Sequence, residues 1–422
     1  MSGTRRLAEN IAALSVVQFL NYVAPLITIP YLVRILHPAQ FGLLSFSQGI
    51  VLCFCVITDY GFDFTATRAV AANRHDGAAI RRIAWTILCA KFLLLFASAC
   101  ALALLVATVP KLRETPQLFA ASFLYVLGTA IFPVWLLQGL EDLKVAALAM
   151  CIARMLIVPA LFVFVQHSGD YVIAAALQAS VEVIATVIAV PIMCRRVDLR
   201  WLAPTRVELS RSFRVGWPLF LSASTLYISA SSTPLILGFV STKIDVGYYS
   251  AAEKLIRACA ALLSPATQAL YPRIAATKAQ SNELALKLIR RSFAFFGGIS
   301  LCVSLLVFCF ADPVCRLVLG SAFVPSIYLL KWMAPLPFLS ALLSVLGTQT
   351  MLTFEMDSAM SRILLQGSIL AFPLTLSLAW KFGALGAAVA TVAVAVFMVA
   401  AMANSVHRSG LRVLRAPSFP RP

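Results

Sequence analysis

Long apolar segments recur along most of this chain, and they restrict its fold more than any other feature. About twelve segments of roughly 20 mostly apolar residues are present, which is the length that a helix needs to cross a bilayer. They lie at 12–33, 43–62, 83–109, 117–139, 145–166, 171–194, 213–240, 247–272, 292–311, 326–353, 359–380 and 383–404. The segments lack the short alternating pattern of barrel strands, so helices are the predicted spanning elements. We therefore expect an all-α, polytopic membrane protein with about twelve transmembrane helices.

The composition leaves little room for a soluble domain. Of the 422 residues, 61% are hydrophobic and only 12% are charged, and the mean hydropathy is +0.91. Arg5 and Arg6 precede the first apolar segment, as basic residues do in a signal peptide. That segment is longer than a signal-peptide core, and no small-residue cleavage site follows it. We interpret it as the first transmembrane helix.

The net charge of +17 reflects membrane topology and does not indicate a nucleic-acid partner. If the N-terminus is cytoplasmic, alternate connections face the cytoplasm, and they hold most of the 34 lysines and arginines. The opposite connections hold few basic residues: Arg34, Lys111, Arg113, Lys243, Arg316 and Lys381. This asymmetry follows the positive-inside rule. We expect both termini to be cytoplasmic.

The longest polar stretch, 195–212, divides the chain into two halves with equal numbers of apolar segments. Short motifs recur in the same order in both halves. The matched pairs are Phe41-Gly42-Leu43-Leu44-Ser45 with Val246-Gly247-Tyr248-Tyr249-Ser250, Val126-Leu127-Gly128-Thr129 with Val345-Leu346-Gly347-Thr348, and Glu141/Asp142 with Glu355/Asp357. Duplications of this kind are known in transporters. We predict two pseudo-symmetric six-helix lobes, 1–200 and 201–422.

Several kinds of chemistry have no sequence support. The chain has no GxxxxGK[ST] motif, which argues against ATP hydrolysis, and no CxxC pair, which argues against a zinc site. The four histidines all lie in predicted loops: His37, His75, His167 and His407. The predicted outer loops are too short for a cluster of catalytic residues. We expect no catalytic residue, metal or cofactor, and a protein that is not an enzyme.

Five basic side chains lie inside the apolar segments: Lys91, Arg154, Lys254, Arg257 and Lys331. Each opposes membrane insertion by roughly 2.5–3.5 kcal/mol unless it finds a partner. Such residues usually pair or face a wet internal cavity, and a positive cavity favours an anionic cargo. Arginine suits phosphate because its planar guanidinium can bond two oxygens at once.

Alternative roles remain open for most of these residues. Lys91 and Lys331 are near enough to the segment ends to reach an interface by snorkelling. Glu253 and Arg257 are four residues apart on one helix face, so they can form an ion pair that only neutralises both charges. Glu182 lies deep in its segment. Asp59 and Asp63 can pair with Arg68 or with nearby loop charges, or can serve a coupling ion.

Several stretches resemble Wzx-type polysaccharide flippases. The stretches are Asn21 to Arg34 with Pro30-Tyr31-Leu32-Val33-Arg34, Thr65-Ala66-Thr67-Arg68, Trp135-Leu136-Leu137-Gln138-Gly139-Leu140-Glu141, Gly247-Tyr248-Tyr249-Ser250-Ala251-Ala252-Glu253-Lys254, and Gln268-Ala269-Leu270-Tyr271-Pro272-Arg273. The family shares a superfamily with multidrug and toxin extrusion exporters and lipid II flippases. The resemblance implies two six-helix bundles around a central cavity. It also implies alternating access that moves an undecaprenyl-diphosphate-linked oligosaccharide from the cytoplasmic to the periplasmic leaflet of a bacterial inner membrane.

This resemblance assigns provisional roles to the intramembrane polar residues. We expect the diphosphate to bind Arg154, Lys254 and Arg257, with Lys91 and Lys331 as helpers. We expect the sugars to contact Asn21, Gln48 and Gln138, and the coupling-ion candidates are Glu182, Glu253 and Asp59. The expected partners are the lipid-linked oligosaccharide, membrane lipids, and the polymerase and chain-length machinery of surface polysaccharides. The competing hypotheses are an ion-coupled multidrug exporter, a membrane enzyme of polysaccharide assembly and a scaffold.

Overall fold

The computed structural model describes residues 2–195, 197, 200–261 and 264–411, without the side chains of 2–23, 225, 226, 228–231, 264–266, 268 and 269. In these residues the regular structure is entirely helical. The helices of the first part are α1 Ser2–Asp59, α2 Phe62–Ala72, α3 Gly77–Thr108, α4 Pro110–Arg113, α5 Pro116–Ile131, α6 Val134–Gly139, α7 Leu143–Phe164, α8 Tyr171–Cys194 and α9 Arg206–Val240. Those of the second part are α10 Lys243–Ala261, α11 Ser264–Gln280, α12 Asn282–Cys309, α13 Ala311–Val314, α14 Ser326–Met333, α15 Leu336–Ser344 and α16 Asp357–Arg408, with a π-helical segment at Val345–Leu352.

Eight helical stretches within the described residues are long and apolar enough to span a membrane. Two of them, Ala24–Ala72 and Asp357–Arg408, have 49 and 52 residues, enough for two crossings each. The longer stretch contains the non-helical Gly383, which is the first residue of the predicted twelfth segment. The all-α, multi-pass membrane fold is confirmed, and the eight stretches are consistent with about twelve crossings.

The chain forms two compact units, Met1–Phe239 and Val240–Pro422, called unit 1 and unit 2 below. Unit 1 therefore includes α9 up to Phe239, whereas the predicted lobes divide at residue 200. The predicted lobe boundary concerns the sequence repeat, and it stays a prediction.

Small residues allow the helices of unit 1 to approach closely. A Cβ atom added to Gly128 in α5 would lie 2.6 Å from the Cβ of Glu182 and 2.9 Å from the backbone nitrogen of Val183, both in α8. Elsewhere in α7 and α8, Ala149, Ala153, Ala185 and Ala189 are buried among larger apolar side chains. In a membrane, where lipid is as apolar as the helix surface, such close backbone contact is a main source of helix association.

Side-chain caps fix the starts of α9 and α10, and the cap of α9 is a full capping box. The Thr205 hydroxyl accepts a hydrogen bond from the Glu208 backbone N–H at 3.2 Å, and a Glu208 oxygen accepts one from the Thr205 N–H at 2.8 Å. At α10 the Asp245 N–H donates to the Thr242 hydroxyl at 3.1 Å, and that hydroxyl lies 2.9 Å from the Asp245 carboxylate. Both caps satisfy backbone donors that would otherwise lack partners at a helix N-terminus.

The acidic motif pair predicted as part of the repeat has the same local structure in both units. Glu141 and Glu355 both have positive φ, 58° and 60°. The Glu141 carboxylate pairs with Arg74 and the Glu355 carboxylate with Lys278, each at 2.7 Å. In both places the next residue donates its backbone N–H five residues back at 2.8 Å, Asp142 to Leu137 and Met356 to Met351. These shared features strengthen the case for two similar halves.

We predict that Gly128→Val destabilises unit 1 because the added atoms meet the backbone of α8, which cannot rotate away. Overpacking of this kind costs about 1–3 kcal/mol. Thermal unfolding of the purified protein in detergent measures the effect as a lower midpoint. The matched control is Gly298→Val in α12, where an added Cβ meets nothing within 4 Å. Equal midpoints for the two variants would contradict the close contact between α5 and α8.

Candidate functional site

Lys91 lies at the centre of an ion cluster inside unit 1. Its ammonium nitrogen is 3.1 Å from Oδ1 of Asp59 and 2.8 Å from Oδ1 of Asp63. Lys91 itself is only 2% exposed. The sequence left open whether the two aspartates pair with Arg68 or serve an ion, and the structure pairs both with Lys91. This pairing offsets the cost of holding a lysine in the middle of a transmembrane helix.

A break between α1 and α2 brings the two aspartates to one ammonium. Tyr60 and Gly61 both have positive φ, 49° and 75°, so the helix stops at Asp59 and restarts at Phe62. A Cβ on Gly61 would lie 2.7 Å from that of Leu219 in α9, so the residue must also be small. The Tyr60 ring stacks on Phe220 at 4.8 Å. Broken helices of this kind line many binding sites in transporters.

Arg154 in α7 and Glu182 in α8 are two further intramembrane charges of unit 1. Glu182 is 8% exposed, and its carboxylate interacts electrostatically with Arg154. The Nε atom of Arg154 is buried and has no hydrogen-bond partner within the described part of the chain. Tyr125 in α5 lies within the field of both charges. Arg154 therefore keeps hydrogen-bonding capacity that Glu182 does not use.

A cavity of about 240 Å³ with a mainly apolar lining and a few polar side chains lies in the same unit. Gln48 donates from Nε2 to Oε1 of Gln178 at 2.9 Å, and both glutamines line the cavity together with Ser122 and Tyr125. The Nε2 atom of Gln178 is buried and has no hydrogen-bond partner among the described residues. Gln178 was not among the predicted site residues. Its position one turn before Glu182 on α8 was the signal that could have identified it.

In unit 2 the predicted helix-face ion pair is present in α10. The guanidinium of Arg257 lies 2.7 Å from Oε1 of Glu253. Glu253 is nearly buried, with an 11% exposed side chain, whereas that of Arg257 is 55% exposed. Lys254 is half-buried beside them. Two basic groups therefore lie beside one carboxylate in this cluster, and the Arg257 side chain is more than half exposed.

The other predicted site residues lie apart from these clusters. Lys331 is exposed on α14 and lines an apolar cavity of about 550 Å³ with Tyr328 and Trp332. Gln138 is exposed at the end of α6. Asn21 falls where side chains are not described.

The two units differ in the balance of these charges. In unit 1 the basic Lys91 and Arg154 accompany three carboxylates, those of Asp59, Asp63 and Glu182. In unit 2 the basic Lys254 and Arg257 accompany the carboxylate of Glu253. The sequence alone indicated a single group of intramembrane basic residues. Within the two units of the structure, carboxylates outnumber basic groups in the clusters of unit 1, and basic groups outnumber carboxylates in the cluster of unit 2.

We predict that Lys91→Met lowers stability because it leaves two aspartates without a cation in a mostly buried site. Removing one partner from a buried ion pair lowers the free energy of unfolding by about 3–5 kcal/mol. We expect a loss of about 3 kcal/mol here, because both aspartates are partly exposed. The midpoint of thermal unfolding measures this loss. The triple variant Asp59→Asn, Asp63→Asn, Lys91→Met removes all three charges, so it should recover much of the stability. Lys287→Met, at an exposed position in α12, is the control. A Lys91→Met midpoint equal to that of the control would contradict the cluster.

Comparison with known proteins places this chain in a family. The model of the polysaccharide biosynthesis protein family matches residues 7–278. An Escherichia coli K12 protein named "Putative O-antigen transporter" is 31% identical over 410 residues, with 96% of this chain and 98% of the relative covered. A Shigella dysenteriae protein of the same name is 28% identical over 400 residues, with 94% and 99% covered.

Solved structures with a similar fold are membrane transporters. The lipid II flippase MurJ in an inward closed conformation matches with a TM-score of 0.73 and 12% identity, covering 93% of this chain and 87% of MurJ. An inward-facing multidrug resistance transporter of the MATE family matches with a TM-score of 0.66 and 16% identity, covering 96% and 100%. Identities this low establish the fold alone. The family match and the near-full-length relatives establish that this multi-pass membrane protein belongs to the polysaccharide biosynthesis protein family.

Proposed function

We propose that this protein is a flippase that moves an undecaprenyl-diphosphate-linked oligosaccharide across the membrane during surface polysaccharide biosynthesis. The observation that carries the proposal is the similarity to two relatives named as O-antigen transporters, which extends over nearly the whole of both chains. A transporter of this kind carries its substrate by alternating access, so it needs binding groups within the membrane and no catalytic residues.

The charges of the two units support a division of roles. The diphosphate binds Lys254 and Arg257 in unit 2, where basic groups outnumber the carboxylate of Glu253. Arg154 contributes through the guanidinium nitrogen that Glu182 leaves without a partner. Guanidinium groups match phosphate oxygens in geometry and charge. Lys91 is held by two aspartates, so we assign it to the coupling cluster and not to the diphosphate.

The polar side chains that line one cavity of unit 1 support contact with sugar hydroxyls. Gln48 and Gln178 present amide groups to a cavity that Ser122 and Tyr125 also line. The carboxylates of Asp59, Glu182 and, in unit 2, Glu253 are the candidates for the coupling ion. Lys331, Gln138 and Asn21 are retained as secondary candidates for substrate contact.

The proposed location is the bacterial inner membrane with both termini in the cytoplasm. The basic residues of alternate connections support this orientation through the positive-inside rule. The proposed partners beyond the lipid-linked oligosaccharide and membrane lipids are the polymerase and chain-length proteins that act on the delivered glycan.

We predict that Arg154→Ala and Arg257→Ala each reduce glycan export about tenfold or more. Loss of a charge-assisted hydrogen bond to phosphate is worth about 1.5–3 kcal/mol, which corresponds to at least tenfold. The measurement is the amount of surface polysaccharide made when each variant replaces the flippase of a deletion strain, with membrane levels checked by immunoblot.

The matched control for Arg257 is Arg316→Ala. Arg316 also pairs with a carboxylate four residues away, Asp312 at 3.1 Å, and its side chain is 57% exposed. It lies outside the predicted spans, so export should stay near the unaltered level. Normal glycan export by both Arg154→Ala and Arg257→Ala would contradict the assignment of the diphosphate site.

We predict that alkaline phosphatase fused after Gly410 is inactive, whereas the same enzyme inserted at Gly320 is active. The enzyme folds only outside the cytoplasm, so its activity reports the side of the membrane. A green fluorescent protein fused after Gly410 should fluoresce. Phosphatase activity after Gly410 would reverse the proposed orientation.

A further inference from the structure

A cavity of about 410 Å³ lies between α2, α3 and α9 of unit 1 and is not part of the site described above. Its apolar lining comes from Ala66, Ala69, Ile83, Ile87 and Val215. Its charged lining comes from Arg82, Glu208 and Arg211. Hydroxyl and amide groups complete the lining. The cavity therefore combines an apolar wall with two guanidinium groups.

The single carboxylate in this lining is already occupied. One Glu208 oxygen accepts hydrogen bonds from the backbone N–H and the hydroxyl of Thr205, at 2.8 and 2.9 Å. These bonds, and the charge of Arg82, hold the pKa of the Glu208 carboxyl below its ordinary value. Its other oxygen lies 3.5 Å from Nε of Arg82. Glu208 thus positions Arg82 while the terminal nitrogens of that guanidinium stay available.

Arg211 adds a second cation with no partner in the described part of the chain. It is exposed, lies one turn after Glu208 on α9, and forms no ion pair or hydrogen bond with the described residues. The hydroxyls nearby use their protons elsewhere: Thr86 donates to the Arg82 carbonyl and Ser212 to the Glu208 carbonyl, at 2.8 and 3.0 Å. The main free donors in the cavity are therefore the two guanidiniums, which favour an anion with several oxygens.

Two tryptophans place the cavity near the membrane interface. Trp85 lies in α3, one turn after Arg82, and its ring centroid is 4.4 Å from that of Trp201. Its indole N–H donates to the Arg200 carbonyl at 2.9 Å, and Trp201 is 65% exposed. Tryptophan is enriched at the level of lipid headgroups because one end of the indole is apolar and the other polar.

We propose that this cavity binds the phosphate of an anionic phospholipid, with Arg82 and Arg211 on the phosphate oxygens and the lipid backbone against the apolar wall. Basic pockets between transmembrane helices bind acidic lipid headgroups by this combination of charge and apolar contact. A free phosphate would use the guanidiniums but not the wall formed by Ala69, Ile83 and Val215. The site is independent of the proposed flippase function, since it uses none of the residues assigned to the diphosphate.

Native mass spectrometry of the full-length protein in detergent tests this site. Phosphatidylglycerol is titrated against the unaltered protein, Arg211→Gln and Arg206→Gln, with phosphatidylcholine and inorganic phosphate as comparison ligands. Arg206 is the control because it is exposed on the same helix but does not line the cavity. We expect Arg211→Gln to weaken phosphatidylglycerol binding about tenfold, as for loss of one charge-assisted contact, and Arg206→Gln to leave it within about twofold. Arg211→Lys should restore part of the affinity because it restores the charge.

Two results would overturn the proposal. One is equal phosphatidylglycerol binding by Arg211→Gln and Arg206→Gln when both unfold at the same temperature as the unaltered protein. The other is displacement of the lipid by inorganic phosphate at matched concentration, which would show that the apolar wall contributes nothing and that the site takes a free anion.

Discussion

A charge buried in a transmembrane helix needs a partner, and the local structure of unit 1 depends on that requirement. Lys91 is 2% exposed and lies within 3.1 Å of two aspartates. The two aspartates flank a break in the backbone at Tyr60 and Gly61, where α1 ends and α2 begins. The break is in turn packed by the Tyr60 ring against Phe220 of α9. One electrostatic constraint therefore connects the helix break, the packing of α2 on α3 and the position of α9.

The two units differ in the balance of carboxylates and basic groups in their intramembrane clusters. Unit 1 has more carboxylates than basic groups in its intramembrane clusters, which suits the binding of a cation. Unit 2 has the exposed Arg257 and the half-buried Lys254 around one nearly buried carboxylate, which suits an anion. A transporter that couples an anionic lipid-linked cargo to a cation gradient needs both kinds of site. Our proposal places most of the diphosphate contacts in unit 2, with Arg154 of unit 1 contributing, and takes its coupling-ion candidates from both units.

Much of the fold could be predicted from the sequence because membrane helices are specified locally. Length and hydropathy predicted the helices, and the spacing of Glu253 and Arg257 predicted an ion pair that is present at 2.7 Å. The similar motifs at Glu141 and Glu355 predicted matching structures, and both residues have positive φ with a basic partner. Other features depend on residues far apart in the chain. One example is the Gln48–Gln178 hydrogen bond. Another is that Asp59 and Asp63 pair with Lys91, and not with Arg68.

The sequence by itself determined that this chain is helical and spans a membrane, because apolar segments of this length can satisfy their backbone only as helices in a bilayer. It also identified the basic residues whose burial needs an explanation. Only the tertiary structure decided which of these charges are neutralised. Lys91 is enclosed by two carboxylates and Arg257 pairs with Glu253, whereas Arg154 keeps a buried nitrogen without a partner in the described residues. The physical reason is that an ion pair requires a separation of a few ångströms, and the packing of separate helices sets that distance.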